Sequence, residues 1–202
     1  RAQGVTDAFG EFKLDGLPID RLPPRRTEAV CILSRGQETW PAAFAAFILA
    51  EQAGFDLICL YGAHGFGIFQ HFLSRATNQR GDEYGGSLEN RSRFAREVIA
   101  DMRDAVGNRM ALTLRVSLDE TIGELGFSNA ELRDFIAMNA ELPDLWDLAQ
   151  GTWEDCSGPS RFKEEAAQEA LVRGIRDLSP RPVVGVGRFT SPDVMARMIR
   201  EG

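Results

Sequence analysis

Tyr61 and His64 stand three positions apart at the end of the apolar run FDLICLY, and the chain holds one other tyrosine, Tyr84, and one other histidine, His71. A phenol and an imidazole at that spacing can donate hydrogen bonds or move a proton. A core tyrosine beside a capping histidine would leave the same letters. Arg115 sits near the end of a second run, ALTLRVS, where Leu112, Leu114 and Val116 share one face and Thr113, Arg115 and Ser117 the other. A guanidinium so placed needs an anion or carbonyl oxygens, from a ligand or from a loop carboxylate. Trp153 is followed by Glu154, Asp155 and Cys156 in a polar loop. An indole face beside carboxylates suits a cation; it equally suits a tryptophan that packs its own loop. Gly185, Gly187 and Arg188 lie in GVGRF, between an apolar run and a helix starting near Ser191. Glycines let the backbone approach a ligand, and a helix N-terminus with an arginine suits a phosphate. The pattern is not G-x-G-x-x-G, so it is no dinucleotide fingerprint. His71 reads as structural. A metal bound by both histidines and Asp82 or Glu83 would need a ligand spacing that the seven-residue gap between them does not match, so no metal is expected.

The elements that must position these groups follow a regular order. ETWPAAFAAFILAEQAG reads as a helix with Pro41 in its first turn and Gly54 as its stop. FDLICLY is a strand, followed by a long polar loop. Ser87 caps a helix over LENRSRFAREVIADMRDAVG, with Phe94, Val98, Met102 and Ala105 at helical spacing and Gly107 at its end. Arginines in its first turn oppose the helix dipole, so Arg91 or Arg93 is expected to pair with Asp82, Glu83 or Glu89. MALTLRVS is a strand, SNAELRDFIAMN a helix capped by Ser128, LPDLWDLA a strand, KEEAAQEALVRGIRDL a helix, PVVGVG a strand, and SPDVMARMIREG a helix with Pro192 at its start. Strands alternating with helices imply a parallel sheet, with function at the carboxyl ends of its strands. The polar row of Thr113, Arg115 and Ser117 suits the inside of a barrel near its mouth. The expected fold is therefore α/β, a partial (β/α)8 barrel of about four β/α units, because a whole one takes about 250 residues. Residues 1–38 read as an irregular N-terminal segment and 39–202 as the barrel domain.

Composition excludes several classes. A net charge of −7 argues against a nucleic-acid binder. No apolar run is long enough to span a membrane, and the opening RAQGVTDAFGEF is mixed and polar, unlike a secretory leader. Cys31, Cys59 and Cys156 are widely spaced and odd in number. They read as reduced thiols of a cytoplasmic protein.

Taken together, AGFDLICLYGAHGFGIFQHFLS, DEYGGSLENRSRF, LWDLAQGTWEDCSGPSRF and PVVGVGRFTSPDVM resemble the old-yellow-enzyme class of FMN barrels. The nearer likeness is to its amine-dehydrogenase branch, the trimethylamine, dimethylamine and histamine dehydrogenases. The resemblance runs from about Gly54 to Gly202 and corresponds to strands 4 to 7 of the barrel. It implies FMN at the mouth, with Tyr61 and His64 beside the flavin and Arg115 near its pyrimidine, where positive charge favours the reduced, anionic ring. It implies Trp153 as a wall for the amine cation and Asp155 as the carboxylate partner of the Tyr–His pair, with Cys156 in the competing register. Gly185, Gly187 and Arg188 would hold the FMN phosphate. The branch's iron–sulfur cluster is not encoded in this chain. The activity implied is oxidation of a small amine to an imine by hydride transfer to flavin. Alternatives are an ene-reductase of the same class, disfavoured by carboxylates beside Trp153, and a non-catalytic half-barrel. Such a half-barrel would associate as a homo-oligomer or with a complementing barrel segment.

Overall fold

The computed structural model describes residues 47–155 and 162–201, together with the backbone of three short segments nearer the N-terminus. Two of these, β1 (Val5–Thr6) and β2 (Phe12–Lys13), pair antiparallel. The third, β3 (Ala29–Cys31), lies within the stretch expected to be irregular and instead adds a parallel strand beside β4 (Leu57–Gly62). The sheet continues through β5 (Ala111–Ser117) and β6 (Leu145–Ala149) to β7 (Val183–Gly185), parallel throughout and in strict chain order.

That order decides the architecture. Parallel crossovers are right-handed, so strands added always on the same side place every helix on one face of the sheet. On that face Leu60, Leu112, Leu114, Val116, Trp146 and Leu148 are fully buried. The other face is left for a lumen, and the sheet is an arc of a (β/α)8 barrel. Its inner face carries Tyr61, Thr113, Arg115, Ser117 and Asp147, and the register sets Tyr61 opposite Arg115, Arg115 opposite Asp147, and Asp147 opposite Val184.

Helix α1 is described over 47–52 and gives way at Gly54, which has φ +78; its expected start at Pro41 lies outside the described residues. Within the loop expected after β4, a short helix α2 (Ile68–Leu73) forms and buries Phe69 and Leu73. Helix α3 (Leu88–Val106) starts where Ser87 Oγ accepts from the Asn90 amide and buries Ala95, Val98, Ile99, Met102 and Val106. Its first turn departs from expectation. Arg91 is buried and donates to the carbonyls of Leu73 and Gly86 and to Glu131, 2.6 Å away, while Arg93 reaches the carbonyl of Glu83. Asp82 pairs with Arg80. Helix α4 (Asn129–Met138) has a full capping box between Ser128 and Glu131, so Glu131 both caps α4 and receives Arg91 from α3.

The helix expected over 163–178 is broken. Only α5 (Glu169–Val172) and a 3-10 turn (Ile175–Leu178) form. Ala166 and Gly174 adopt φ +58 and +75, and the Ala166 amide bonds the Gly187 carbonyl at 3.0 Å instead of a helical partner. Helix α6 (Pro192–Glu201) follows β7. No described helix is long and apolar enough to cross a membrane.

Candidate active site

The chain leaves β4 at Gly62 and turns immediately. His64 takes a left-handed conformation, φ +61, which costs a non-glycine residue free energy unless its surroundings hold it there. Two contacts do so. Its amide donates to Ser117 Oγ at 3.2 Å, at the end of β5, and its backbone forms a parallel bridge to Thr152 in the loop after β6. The turn aims the imidazole back at its own strand, where Tyr61 Oη and His64 Nδ1 are hydrogen-bonded. Burial, and then the nearby Arg115 charge, hold His64 below the usual imidazole value of 6.5. The neutral ring is thus favoured. In that state the phenol donates and Nδ1 accepts.

Arg115 closes this pair on the sheet side. Its Cζ lies 5.7 Å from the centre of the Tyr61 ring, a cation–π contact. Nη1 donates to Asp147 Oδ2 at 2.7 Å. Trp153 closes it on the loop side, its ring centroid 6.4 Å from that of His64 in an edge-on arrangement and 5.7 Å from that of Phe66. Trp153 is 60% exposed, so an aromatic surface faces outward beside the phenol–imidazole pair.

Tyr61, His64, Arg115 and Trp153, picked out in the sequence for separate reasons, therefore meet in one place. Asp155 is adjacent but differently engaged: its Oδ2 accepts from the hydroxyls of Thr121 and Thr152. Gly151 makes room for it, since a Cβ at that position would lie 2.7 Å from Asp155 Cβ. Cys156, the competing partner, lies outside the described residues. Gly185, Gly187 and Arg188 gather at the end of β7. Arg188 donates to the Lys163 carbonyl. The two amides at the start of α6, on Thr190 and Ser191, are taken by Glu165 Oε1 at 2.6 and 2.5 Å. An anion meeting this turn thus finds the helix N-terminus occupied by a carboxylate, contrary to expectation. What remains is the Gly187–Arg188 stretch, where Gly187 packs against buried Gln168.

Asp147 and Thr152 escaped the sequence reading, and Ser117, read only as part of the polar row of β5, was given no part in holding His64. Asp147 had a signal: Leu145, Asp147 and Ala149 alternate with Trp146 and Leu148, as the polar row of β5 alternates with its leucines. Ser117 and Thr152 act through a bond and a bridge to the His64 backbone, which no residue pattern announces.

The donor set admits a flavin. Thr113 Oγ1, Arg115 Nε and Asp147 Oδ1 are buried on the inner face of neighbouring strands and make no hydrogen bond among the described residues. A polar atom left so costs about 1–3 kcal/mol, and the nitrogens and oxygens at the edge of an isoalloxazine ring are suitable partners for both donors and acceptor.

Comparison with known proteins gives the family to which the chain belongs. Residues 42–202 match the family described as NADH:flavin oxidoreductase / NADH oxidase. The chain is 40% identical over 162 residues to dimethylamine dehydrogenase of Hyphomicrobium sp. (strain x), covering 78% of this chain and 22% of that one. Among solved structures, histamine dehydrogenase from Rhizobium sp. 4-9 superposes with a TM-score of 0.76 at 80% identity, over 79% of this chain and 23% of its own. A 6-hydroxypseudooxynicotine amine oxidase from Pseudomonas geniculata N1 gives 0.74 at 41% identity, over 79% and 24%. The chain spans less than a quarter of the length of each of these relatives.

Proposed function

Because the chain belongs to the NADH:flavin oxidoreductase / NADH oxidase family, we propose that it supplies the substrate-facing wall of an FMN-dependent dehydrogenase that oxidises a small amine to an imine. The observation that carries the proposal is the junction of the Tyr61–His64 pair with the exposed face of Trp153. An ammonium group docks against the indole, whose face attracts cations. Only the free base has the nitrogen lone pair that assists loss of hydride from the adjacent carbon. The ammonium proton therefore passes to the Tyr61 oxygen while the phenol proton moves to Nδ1 of neutral His64. That leaves the amine neutral, the phenol restored and an imidazolium on His64. FMN, when bound, supplies the two-electron acceptor. The iminium product then hydrolyses in water.

Arg115 and Thr113 are assigned to the polar edge of the flavin, and Gly185, Gly187 and Arg188 to its phosphate. With the amides of Thr190 and Ser191 engaged by Glu165, the phosphate is placed against the Gly187–Arg188 backbone. Asp155 orders the loop that carries Trp153, through Thr121 and Thr152. The partner is a small amine. The apolar groove of about 440 Å³ along β7 and α6, lined by Val184, Met195 and Ile199, takes a complementing barrel segment. The setting is cytoplasmic, supported by the cysteine usage.

The test is a visible spectrum. Protein carrying this chain, mixed with FMN and freed of excess, is expected to retain flavin absorbance that histamine or dimethylamine bleaches without oxygen. Protein that ignores FMN, or flavin that no amine bleaches but whose reduced form an enone restores to full colour, overturns the proposal.

A further inference from the structure

Asp147 is the only carboxylate among the inner-face strand residues of β4 to β7, and it is 8% exposed. It sits directly across from Arg115 in the sheet register. The two form a single-toothed pair: Nη1 to Oδ2 at 2.7 Å, leaving Arg115 Nε and Asp147 Oδ1 buried with no hydrogen bond among the described residues. A fork-to-fork pair would satisfy both atoms. The arrangement is a poor stabilising device, since burying a carboxylate with one bond recovers little of its lost hydration. Burial indeed pushes the Asp147 carboxyl above its ordinary value, against the pull of Arg115. What the pair does provide is position and charge. Arg115 is held between Asp147 on one strand and the Tyr61 ring on the other, so its guanidinium cannot turn away from the lumen, and its charge reaches the lumen partly cancelled.

We infer that Asp147 is a positioning residue that sets how much of the Arg115 charge reaches the bound flavin, and so lowers the flavin's reduction potential. The inference rests on the flavin assignment above. Reduction places negative charge on the cofactor; a guanidinium with its counter-charge removed stabilises that charge more.

The experiment compares midpoint potentials of the FMN-loaded full chain for wild type, Asp147→Asn and Asp147→Ser. The two substitutions fill different volumes, so a shift common to both follows the charge, and if either variant fails to fold the other still reports. Both potentials are expected to rise, with the ratio of reduced to oxidised flavin at a fixed ambient potential increasing about tenfold, which is about 30 mV for a two-electron couple. Asp147→Glu, which restores the charge, brings the value back towards wild type. Wild-type protein that holds flavin, with neutral variants sharing its potential, overturns the role of Asp147 alone. Wild-type protein that holds no flavin overturns the flavin assignment and this inference with it.

Discussion

His64 is left neutral by its surroundings, and that state has a measurable signature. The chain has two imidazoles, so proton spectra separate them. His64 is expected to titrate below 6.5, because burial and Arg115 both oppose its cation. Arg115→Gln removes the second cause, and the His64 midpoint should rise; a midpoint unmoved by that change contradicts the placement of the guanidinium. The sign for stability follows by linkage. Between the lowered native value and 6.5 the unfolded chain binds more protons, so the contribution is present above 6.5 and is lost as pH falls through the native value. Turnover should fall on its acid side as pH drops through the native His64 value. Tyr61→Phe, which cuts the path to Nδ1, should lower the rate with amines by about 10²–10⁴-fold while leaving the His64 turn in place. At this scale the sequence was informative about which side chains the fold gathers, as at Tyr61, His64, Arg115 and Trp153. It placed Ser117 on the inner face but was silent on its bond to the His64 backbone and on Thr152, and it was misleading at Ser191, where Glu165 from a distant turn fills the amides.

The elements that position the site were read mainly from their punctuation. Ser87, Gly107 and Ser128 mark helix ends in the sequence and do so in the structure. The capping box on α4 gives a direct test: Ser128→Ala should cost about 1 kcal/mol of stability in a denaturant titration, and a change within a few tenths would mean the box is ornamental. Arg91 carries a larger load. It joins the end of α2, the turn before α3 and the cap of α4. Arg91→Met leaves two carbonyls without their donor and takes from Glu131 its nearer guanidinium, with Arg75 3.6 Å away remaining, an expected loss of about 3 kcal/mol. Charge alone suggested a local pairing for this residue, because sequence spacing cannot show that Glu131 lies nearby. Two elements resisted the reading for physical reasons. Helix α2 has six residues, too few for a periodic pattern. The stretch over 163–178 has helical composition, yet the Ala166 amide is claimed by Gly187 across the barrel rim, and tertiary contact overrides propensity.

At the scale of the molecule, the sheet is protected unevenly. β5 pairs over six residues with β4 and over five with β6, whereas among the described residues β7 pairs only with β6, over three residues. Amide exchange should therefore be slowest in β5, intermediate in β4 and β6, and fastest in β7; β7 amides as slow as those of β5 would show that its outer edge is covered. The alternation of strands and helices sufficed for the parallel sheet, and one polar row on β5 for the barrel. The strand at Ala29–Cys31 was hidden because three residues in a proline-rich stretch carry no alternation.

Strict chain order has a consequence for biogenesis. Each strand finds its partner in the one made just before it, so pairing can follow chain order, although every parallel crossover still has to close a long loop first. A nascent chain of this kind can consolidate in the direction of synthesis. It would lay down the phenol and imidazole first, the guanidinium next, its counter-charge third, and the glycine turn last as each emerges from the ribosome.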